Sequence, residues 1–402
     1  MFRIVSLTVR SLYSNHVYLL IPAFMLCFAL GLSKSYAQSA TELMNMIQKQ
    51  QQQLEEMKKA LKRVQAEAAK ATKTAKEAKT SSPKMALPDY LSISGVVEVE
   101  ANAAKSFANA DSSDITLAKV ETVIEAEPTD WTKATVILLY EDTTNDNLLV
   151  DEAFFTVANA KESPFSLQAG KFQVPFGDYT SDMNSSPLTK SMGATTEKAL
   201  MLSYENHGFT GSAYIFNGDT KDAGDDTIEH YGAYAGYSTK LNQIDISGGV
   251  SYLSNIADAN TITEKLTSGT ALQNYVAGYG ANFSVGIGNL ALRFEHIKSE
   301  TFKQAHLAFN SGDTTLAATA VQAVYTLPLG EREVTIAVAY ENTDQALALE
   351  LAEQRHGVTI STELLPGLNA TLEHIREEDY QKGEGGTGED SHTTILNLAV
   401  EF

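Results

Sequence analysis

Residues 164–205 read PFSLQAGKFQVPFGDYTSDMNSSPLTKSMGATTEKALMLSYE. The two ends of this stretch, 165–172 and 199–205, read as β-strands, and a long polar connection over 173–198 separates them. That connection contains two of the nine prolines, Pro175 and Pro187, together with several Gly, Ser and Thr residues. Loops of this length inside a compact domain are usually functional or disordered. The fold prediction therefore depends on what kind of β-domain surrounds this connection.

The length and the hydropathy of the chain restrict its class. Its 402 residues suffice for one large domain or two ordinary ones. The mean hydropathy of −0.16 is mild for a membrane protein. Transmembrane barrels show such values because alternate residues of each strand face the lipid.

The charge of the chain is strongly acidic but unevenly distributed. The formal net charge is −20, whereas residues 1–37 carry +3 and residues 38–89 carry +4, so residues 90–402 carry −27. Nucleic acid is excluded as a partner because binding phosphates requires basic patches. Cations, or ligands that carry cations, are the partners that this acidic domain favours. The alternative is that the acidic residues only keep exposed loops soluble.

The N-terminus resembles a signal peptide. Arg3 and Arg10 precede an apolar run over 17–32, and an A-x-A-like cleavage site follows at Ser35-Tyr36-Ala37. The single cysteine, Cys27, lies inside this run, so the mature protein is expected to lack disulfides and thiolate chemistry. No later run approaches 18 apolar residues, and any membrane domain must therefore be built from β-strands.

A helical segment is predicted over residues 38–80. Apolar residues recur there at alternating spacings of three and four, a pattern typical of a coiled coil: Leu43, Ile47, Leu54, Met57, Leu61, Val64, Ala68, Ala71, Ala75 and Ala78. Self-association through this stripe is expected, with a homotrimer favoured. The alternative is a single helix that lies on another surface. A linker over 81–89, containing Pro83 and Pro88, ends the helix.

From Tyr90 onwards the apolar residues recur at every second position, in place of the spacing of three and four in the helical segment. In the last strand, Leu396, Leu398, Val400 and Phe402 alternate with Asn397, Ala399 and Glu401. Segments of about ten residues with one apolar and one polar face are the signature of a transmembrane barrel. A soluble β-sandwich shows the same alternation, so the period alone does not decide between the two folds.

The connection lengths favour the barrel. Sixteen strands are predicted within 90–402, with long gaps after each odd-numbered strand and short gaps after each even-numbered one. The short gaps include Glu127–Asp130, Asn159–Ser163, Thr239–Asn242 and Glu363–Gly367. Outer-membrane barrels have long loops outside, short periplasmic turns and an even strand count. The prediction is an all-β, antiparallel, 16-stranded transmembrane barrel in the outer membrane of a Gram-negative bacterium, in contact with outer-membrane lipid.

The candidate site lies in the lumen of this barrel. The connection over 173–198 is the third long loop, which in general porins folds inward and narrows the lumen. The expected lumen wall is acidic, which predicts a wide, cation-favouring channel: Glu98, Glu100, Lys119, Glu121, Glu125, Glu152, Arg293, Glu295, Glu341 and Glu401. The candidate constriction or substrate-binding residues are Asp178, Asp182, Lys190, Glu197, Lys198, Arg293 and Glu295. The alternative for each charge is simple solvation in a wet lumen.

Catalysis and cofactor binding have little support in the sequence. It contains neither H-E-x-x-H nor G-x-S-x-G. Acidic residues cluster near 142–147 and 219–226, but their spacing does not match an EF-hand calcium loop. We therefore predict no enzymatic activity, no cofactor and no metal site.

Several motifs resemble the LbtU family of siderophore porins. They are S-I-S-G-V-V-E-V-E-A at 92–101, V-D-E-A-F-F-T-V at 150–157, A-G-K-F-Q-V-P-F-G at 169–177, G-A-T-T-E-K-A-L at 193–200 and Y-I-F-N-G-D at 214–219. The resemblance covers most of the chain and implies an outer-membrane barrel associated with ferric-siderophore uptake. Thr196 stands where the family more often has a basic residue. The family supplies no binding residue to carry over.

Three functions remain open from the sequence. The first is a porin that passes ferric siderophore or similar small solutes through an acidic lumen narrowed by the loop 173–198. The second is a general, cation-favouring diffusion porin. The third is a barrel-anchored tether whose lysine-rich coiled coil binds peptidoglycan.

Overall fold

The computed structural model describes residues 88–402, apart from 143–146, 221–226, 267–273, 304–311 and 331. The predicted signal peptide (1–37), the coiled coil (38–80) and residues 81–87 of the linker lie outside the described residues. No helix among those described is long and apolar enough to cross a membrane.

Sixteen antiparallel strands form a closed barrel. Each strand pairs with its neighbours in sequence, and β1 closes the ring by pairing with β16, where Val96 lies opposite Glu401. The predicted fold and strand number are therefore confirmed. The strands are β1 Leu91–Lys105, β2 Asp111–Thr129, β3 Thr132–Tyr140, β4 Leu149–Ala158, β5 Phe165–Gln173, β6 Thr196–Asn206, β7 Phe209–Phe216, β8 His230–Leu241, β9 Ile244–Leu253, β10 Gly278–Ile287, β11 Leu290–Phe302, β12 Thr314–Leu329, β13 Arg332–Asp344, β14 Gln354–Leu365, β15 Leu368–Glu378 and β16 Asp390–Glu401.

The two ends of the barrel differ in their connections. The short turns, which mark the periplasmic end, are 130–131, 159–164, 207–208, 242–243, 288–289, 330–331 and 366–367. The connections at the other end are 106–110, 141–148, 174–195, 217–229, 254–277, 303–313, 345–353 and 379–389. The predicted alternation of long and short connections fails at the connection 106–110. Because β1 and β2 extend beyond their predicted ends, 106–110 is shorter than the periplasmic turn 159–164.

The outer face of the barrel is apolar. On β6, for example, Leu200, Leu202 and Tyr204 are exposed, whereas Glu197 and Ala199 on the other face are buried. Aromatic pairs mark both boundaries of this belt. Phe209 and Tyr237 stack at the short-turn end with ring centroids 4.6 Å apart, and tyrosines 231, 252 and 279 form a row at the other end. An apolar belt between two aromatic girdles is the outer surface of a barrel in lipid.

A cluster of apolar side chains fills part of the barrel interior near the long-connection end. It joins inward-facing strand residues such as Phe216 and Ile297 to side chains from the connections, including Phe176, Ile256 and Leu349. The connections carry two short helices, α1 (Leu188–Gly193) and α2 (Asn260–Lys265), and 3-10 turns at Ile256–Asp258, Leu347–Leu349 and Lys382–Glu384. The lumen is therefore narrower than the predicted wide channel, because three connections fold into it.

Gly170 is required by the close approach of the paired strands β4 and β5. Its φ of +140° lies in a region that residues with a Cβ rarely adopt. An added Cβ would overlap the carbonyl oxygen of Ala153 and lie 2.5 Å from the Cα of Phe154. Both contacts are backbone or near-backbone atoms, which have little freedom to move aside.

The substitution Gly170→Ala is expected to destabilise the barrel by about 2–4 kcal/mol, because it combines backbone strain with overpacking. Urea unfolding in detergent, followed by heat-modifiable mobility on gels, measures this loss. Gly286→Ala is the matched control, since its Cβ would meet nothing closer than 3.5 Å. Equal stability of the two variants would contradict the proposed requirement for glycine.

Candidate functional site

The connection between β5 and β6 folds into the barrel, and we call residues 174–195 the inward loop. Its neck is closed by a hydrogen bond of 2.9 Å from the Val174 amide to the Thr195 carbonyl. Beyond the neck, Phe176, Leu188 and Met192 are fully buried. The sequence folds this way because apolar residues flank a polar tip, so the base packs into the apolar cluster and the tip crosses the lumen.

Glu295 on β11 holds the first part of the inward loop. One carboxylate oxygen accepts hydrogen bonds from the amides of Asp178 (2.6 Å) and Tyr179 (3.3 Å), and the other accepts from the hydroxyl of Thr189 (2.7 Å). Hydrogen bonds to an ionised acceptor are stronger than neutral ones. One wall residue therefore joins both limbs of the inward loop.

Glu373 on β15 holds the tip of the inward loop. It accepts hydrogen bonds from the Asn184 amide (2.7 Å), the Ser185 amide (3.0 Å) and the Ser185 hydroxyl (2.5 Å). The side chain of Asn184 also donates to Glu100 on β1, at 2.8 Å. The inward loop thus spans the lumen from β5 and β6 to the seam where the barrel closes.

The second limb of the inward loop is fixed by β13 and β14. The Leu188 amide donates to Glu341 at 2.6 Å, and Arg355 donates to the carbonyl of Ser186 at 2.9 Å. Arg355 also lies 3.7 Å from Glu341, which offsets the charge of that carboxylate.

Asp182 in the middle of the inward loop binds two wall residues. Its amide donates to Gln322 on β12 at 3.1 Å, and its carboxylate forms an ion pair with Arg293 on β11. The sequence predicted both Asp182 and Arg293 as constriction residues, and the structure brings them together. The pair leaves little free charge of either sign at this point.

The wall carboxylates are buried by the inward loop. Glu373, Glu341 and Glu295 are 0%, 3% and 7% exposed, respectively. Burying a carboxylate is costly unless hydrogen bonds replace water, and here the inward loop supplies them. Glu295 and Glu341 were expected to face the passage and favour cations. They instead hold the inward loop.

Two residues that were predicted within the constriction loop, Glu197 and Lys198, lie outside the inward loop. Because β6 begins at Thr196, three residues earlier than predicted, Glu197 and Lys198 belong to that strand. Glu197 is buried on its inner face, whereas Lys198 is exposed and shares the outer face with Leu200 and Leu202. The placement of Lys198 at the constriction was therefore wrong. Lys190 lies in α1 and is exposed.

Sequence reasoning missed Glu373, Arg355 and Gln322 as contacts of the inward loop. The alternation within β15 carried a signal, because Leu368, Ala370 and Leu372 share one face and Glu373 lies on the other. Nothing in the local pattern indicated which segment would cover it. Its partners at 184 and 185 are 189 and 188 residues away in the chain.

The wall of β2 to β4 receives no hydrogen bond from the inward loop among the described residues, although Phe154 on β4 packs against the apolar cluster. Among the described residues, the hydrogen bonds of the inward loop to the barrel wall go to β1 and to strands from β9 onwards. This wall carries paired charges, Lys119 with Glu121 (3.1 Å) and Lys133 with Glu125 (2.6 Å). A passage along this wall would be polar with nearly balanced charge.

A cavity of about 880 Å³ lies between the tip of the inward loop and the short-turn end, and we call it the periplasmic vestibule. Five acidic residues and one basic residue line it: Glu98, Asp182, Glu333, Glu363 and Glu401, with Arg332. A smaller cavity of about 270 Å³ adjoins Asp178, Arg293 and Glu295. The vestibule is in the size range of small-molecule sites.

A buried polar network joins two connections above the apolar cluster. The carboxylate of Asp258 accepts hydrogen bonds from the amide (2.8 Å) and hydroxyl (2.6 Å) of Thr220 and from the side chain of Asn255 (3.0 Å). Burial raises the pKa of Asp258, and the neighbouring His230 opposes that rise. These contacts fix Thr220 against the turn that contains Asn255 and Asp258.

Tyr179 adds no charge to the constriction. Burial raises the pKa of its phenol well above the ordinary value, and the nearby Glu295 adds to the rise. The hydroxyl therefore stays protonated. Within the described part of the chain, no group of three or more His, Cys, Asp or Glu side chains is arranged to hold a metal ion.

No family model matches the chain. Two relatives are similar to it in sequence. The UPF0422 protein of Coxiella burnetii (strain RSA 493) is 25% identical over 308 residues, which is 73% of this chain. A UPF0422 protein of Legionella pneumophila (strain Lens) is 24% identical over 358 residues, or 78% of this chain. In both cases the aligned part is 66% of the relative's own length. The names of these relatives state no substrate.

Solved structures share the fold. The anion-selective porin from Comamonas acidovorans superposes with a TM-score of 0.53 at 14% identity, covering 78% of this chain and 99% of that one. The outer-membrane channel DcaP of Acinetobacter baumannii gives 0.53 at 12% identity, with 78% and 97% covered. OmpF of Salmonella typhi, solved with daunomycin, gives 0.54 at 11%, with 78% and 97% covered.

The chain is an outer-membrane barrel of the porin fold. The closed ring of sixteen strands and its lipid-facing belt decide this, and the neighbours agree with it. At these identities the neighbours carry no information about the solute that this porin-fold barrel would pass.

Replacing Glu373 tests its role in holding the inward loop. Each hydrogen bond to a charged group contributes about 1.5–3 kcal/mol, so Glu373→Ala is expected to release the tip and raise the single-channel conductance. Glu373→Gln keeps an acceptor and should have a smaller effect. Glu162→Ala, which removes an exposed acid in the periplasmic turn 159–164, is the control. An unchanged conductance in Glu373→Ala, with the barrel intact, would show that the tip is held by other contacts.

Proposed function

We propose that this barrel is a passive channel for small polar solutes that favours cations over anions. The acidic lining of the periplasmic vestibule is the observation that carries the proposal. Rings of acidic side chains raise the local concentration of cations and lower that of anions. Most wall charges near the inward loop are paired, whereas four vestibule acids form no ion pair among the described residues: Glu98, Glu333, Glu363 and Glu401.

The proposed route runs between the inward loop and the wall of β2 to β4. The apolar cluster blocks the opposite side near the long-connection end, and the inward loop covers the wall from β11 to β15. A solute would pass the paired charges at Lys119 and Lys133 and then reach the vestibule. Size selection would occur at the inward loop, and charge selection would occur in the periplasmic vestibule.

Ferric siderophore is the finer proposal for the cargo. The motif resemblance to siderophore porins supports it, and so does a vestibule of about 880 Å³. Four of the five acids around that volume lie outside the Asp182–Arg293 ion pair, and they favour a cationic or neutral ferric chelate over an anionic one. Trimerisation through the coiled coil and the barrel remains a prediction. The alternative role as a peptidoglycan tether also remains a prediction, and it rests on residues 38–80.

Ion selectivity tests the channel proposal directly. In a planar bilayer with a salt gradient, the protein is expected to show steps whose reversal potential favours K⁺ over Cl⁻. The double variant Glu98→Gln/Glu333→Gln should reduce that preference, because it removes two vestibule charges. Glu162→Gln, an exposed acid in the periplasmic turn 159–164, is the control for charge outside the lumen. An anion-selective channel, or no conductance, would refute the proposal.

Block by ferric chelates tests the cargo separately. A cationic ferric trihydroxamate is expected to interrupt the current at micromolar concentration, whereas an anionic ferric tricatecholate of similar size should not. The variant Glu98→Gln/Glu333→Gln should weaken the block. Cation-selective steps that neither chelate interrupts would leave a general diffusion channel and exclude the siderophore.

A further inference from the structure

Charged residues on the outer face of the strands cluster at the long-connection end. Towards the short turns this face is apolar, with residues such as Leu202, Phe283 and Leu398 exposed. The outer-facing charges near the other end include Lys105, Asp111, Lys171, Lys198, Lys298, Glu300, Asp344, Arg376, Glu378 and Asp390. This end is extracellular in outer-membrane barrels. The charges therefore lie at the level of the outer-leaflet headgroups.

Most of these cations have an acid beside them. Arg376 forms ion pairs with Asp390 (2.9 Å) and Glu378 (3.0 Å). Lys105 lies directly opposite Asp111 in the β1–β2 register. Lys298 shares its face of β11 with Glu300, two residues along the strand. Cation and acid offset each other at these positions.

Lys171 and Lys198 are different, because they are directly opposite each other in the β5–β6 register. Both belong to the face that presents Leu167 and Leu200 to the lipid. Among the residues that the structure describes, neither lysine forms an ion pair, although the carboxylate of Glu152 on β4 offsets part of the charge of Lys171. Like charges at directly opposite positions of a sheet repel each other.

The two ammonium groups retain free donors. The Lys171 ammonium donates one hydrogen bond to the carbonyl of Val150, at 3.1 Å, and an ammonium has three donors. Lys198 is exposed, so its long side chain can extend to the headgroup level. Two adjacent cations with unused donors, at the edge of an apolar belt, fit an anion that carries acyl chains.

We infer that Lys171 and Lys198 bind a phosphate group of the phosphorylated glycolipid in the outer leaflet. The phosphate would lie between the two ammonium groups and offset their repulsion, and the acyl chains would cover the apolar residues below. Basic pockets at the headgroup level bind anionic lipids in this way. The site is independent of the lumen and of any solute that passes through it.

The test compares lipid binding by two double variants with equal charge change. Protein purified from outer membranes is delipidated in a maltoside detergent and titrated with bisphosphorylated lipid A, with native mass spectrometry as the readout. The variant Lys171→Gln/Lys198→Gln is expected to bind on the order of tenfold more weakly than the wild type. Lys105→Gln/Lys298→Gln, which removes two acid-flanked lysines at the same level, should bind within about twofold of the wild type.

Thermal unfolding supplies a second readout. The difference in unfolding temperature between the wild type and Lys171→Gln/Lys198→Gln should change sign when lipid A is added. Without lipid A, Lys171→Gln/Lys198→Gln should unfold at the same temperature as the wild type or higher, because the like-charge contact is gone. With lipid A present, the wild type should become the more stable protein. Dephosphorylated lipid A should give no such gain.

Three outcomes would overturn the inference. Equal lipid A binding by Lys171→Gln/Lys198→Gln and the wild type would show that the pair is not the site. An equal loss in Lys105→Gln/Lys298→Gln would show general attraction to a charged surface. Stabilisation by inorganic phosphate to the same extent as by lipid A would assign the site to free anions and not to the lipid.

Discussion

Buried glutamates on the barrel wall hold the inward loop through its backbone amides, and the rest of the lumen depends on this contact. Glu295, Glu341 and Glu373 accept from the amides at 178, 188 and 184, at 2.6–2.7 Å. Neither partner is stable in the lumen by itself. A desolvated carboxylate without donors is costly, and so is a buried amide without an acceptor. The inward loop and the acidic wall therefore require each other.

This contact links distant parts of the ring. The inward loop leaves the barrel at β5, yet its tip binds Glu373 on β15 and Glu100 on β1, next to the seam formed by β1 and β16. Closure of the barrel brings the first and last strands together, and only then are both acceptors in place for Asn184. The inward loop thus spans the closed ring from one side to the other. Its position depends on the register of the whole sheet.

The sequence allowed the barrel to be predicted because the bilayer enforces a period of two on every strand, and the run from Leu396 to Phe402 shows that period clearly. It did not allow the constriction to be predicted in detail. Lys198 was misplaced because β6 begins at Thr196, three residues before the predicted start at residue 199. Residues 197 and 198 therefore belong to the strand and point to opposite faces of it. Glu373 was missed because its partners come from a loop 188 and 189 residues away. The apolar residues of the cluster, such as Ile256 and Leu349, lie in connections without any period that would predict burial.

The same contact decides where charge can act on a solute. Residues 90–402 carry −27, but most acids nearest the constriction are covered by the inward loop or paired with Arg293 and Arg355, whereas Asp178 is exposed. The acids of the periplasmic vestibule line an open cavity and act through the local concentration of ions. Such an effect is screened within about 10 Å at 0.1 M salt. The preference for cations should therefore weaken as salt rises, whereas the size limit set by the buried hydrogen bonds of the inward loop should not. Charge selection and size selection are thus separate properties of this lumen, because different glutamates serve each.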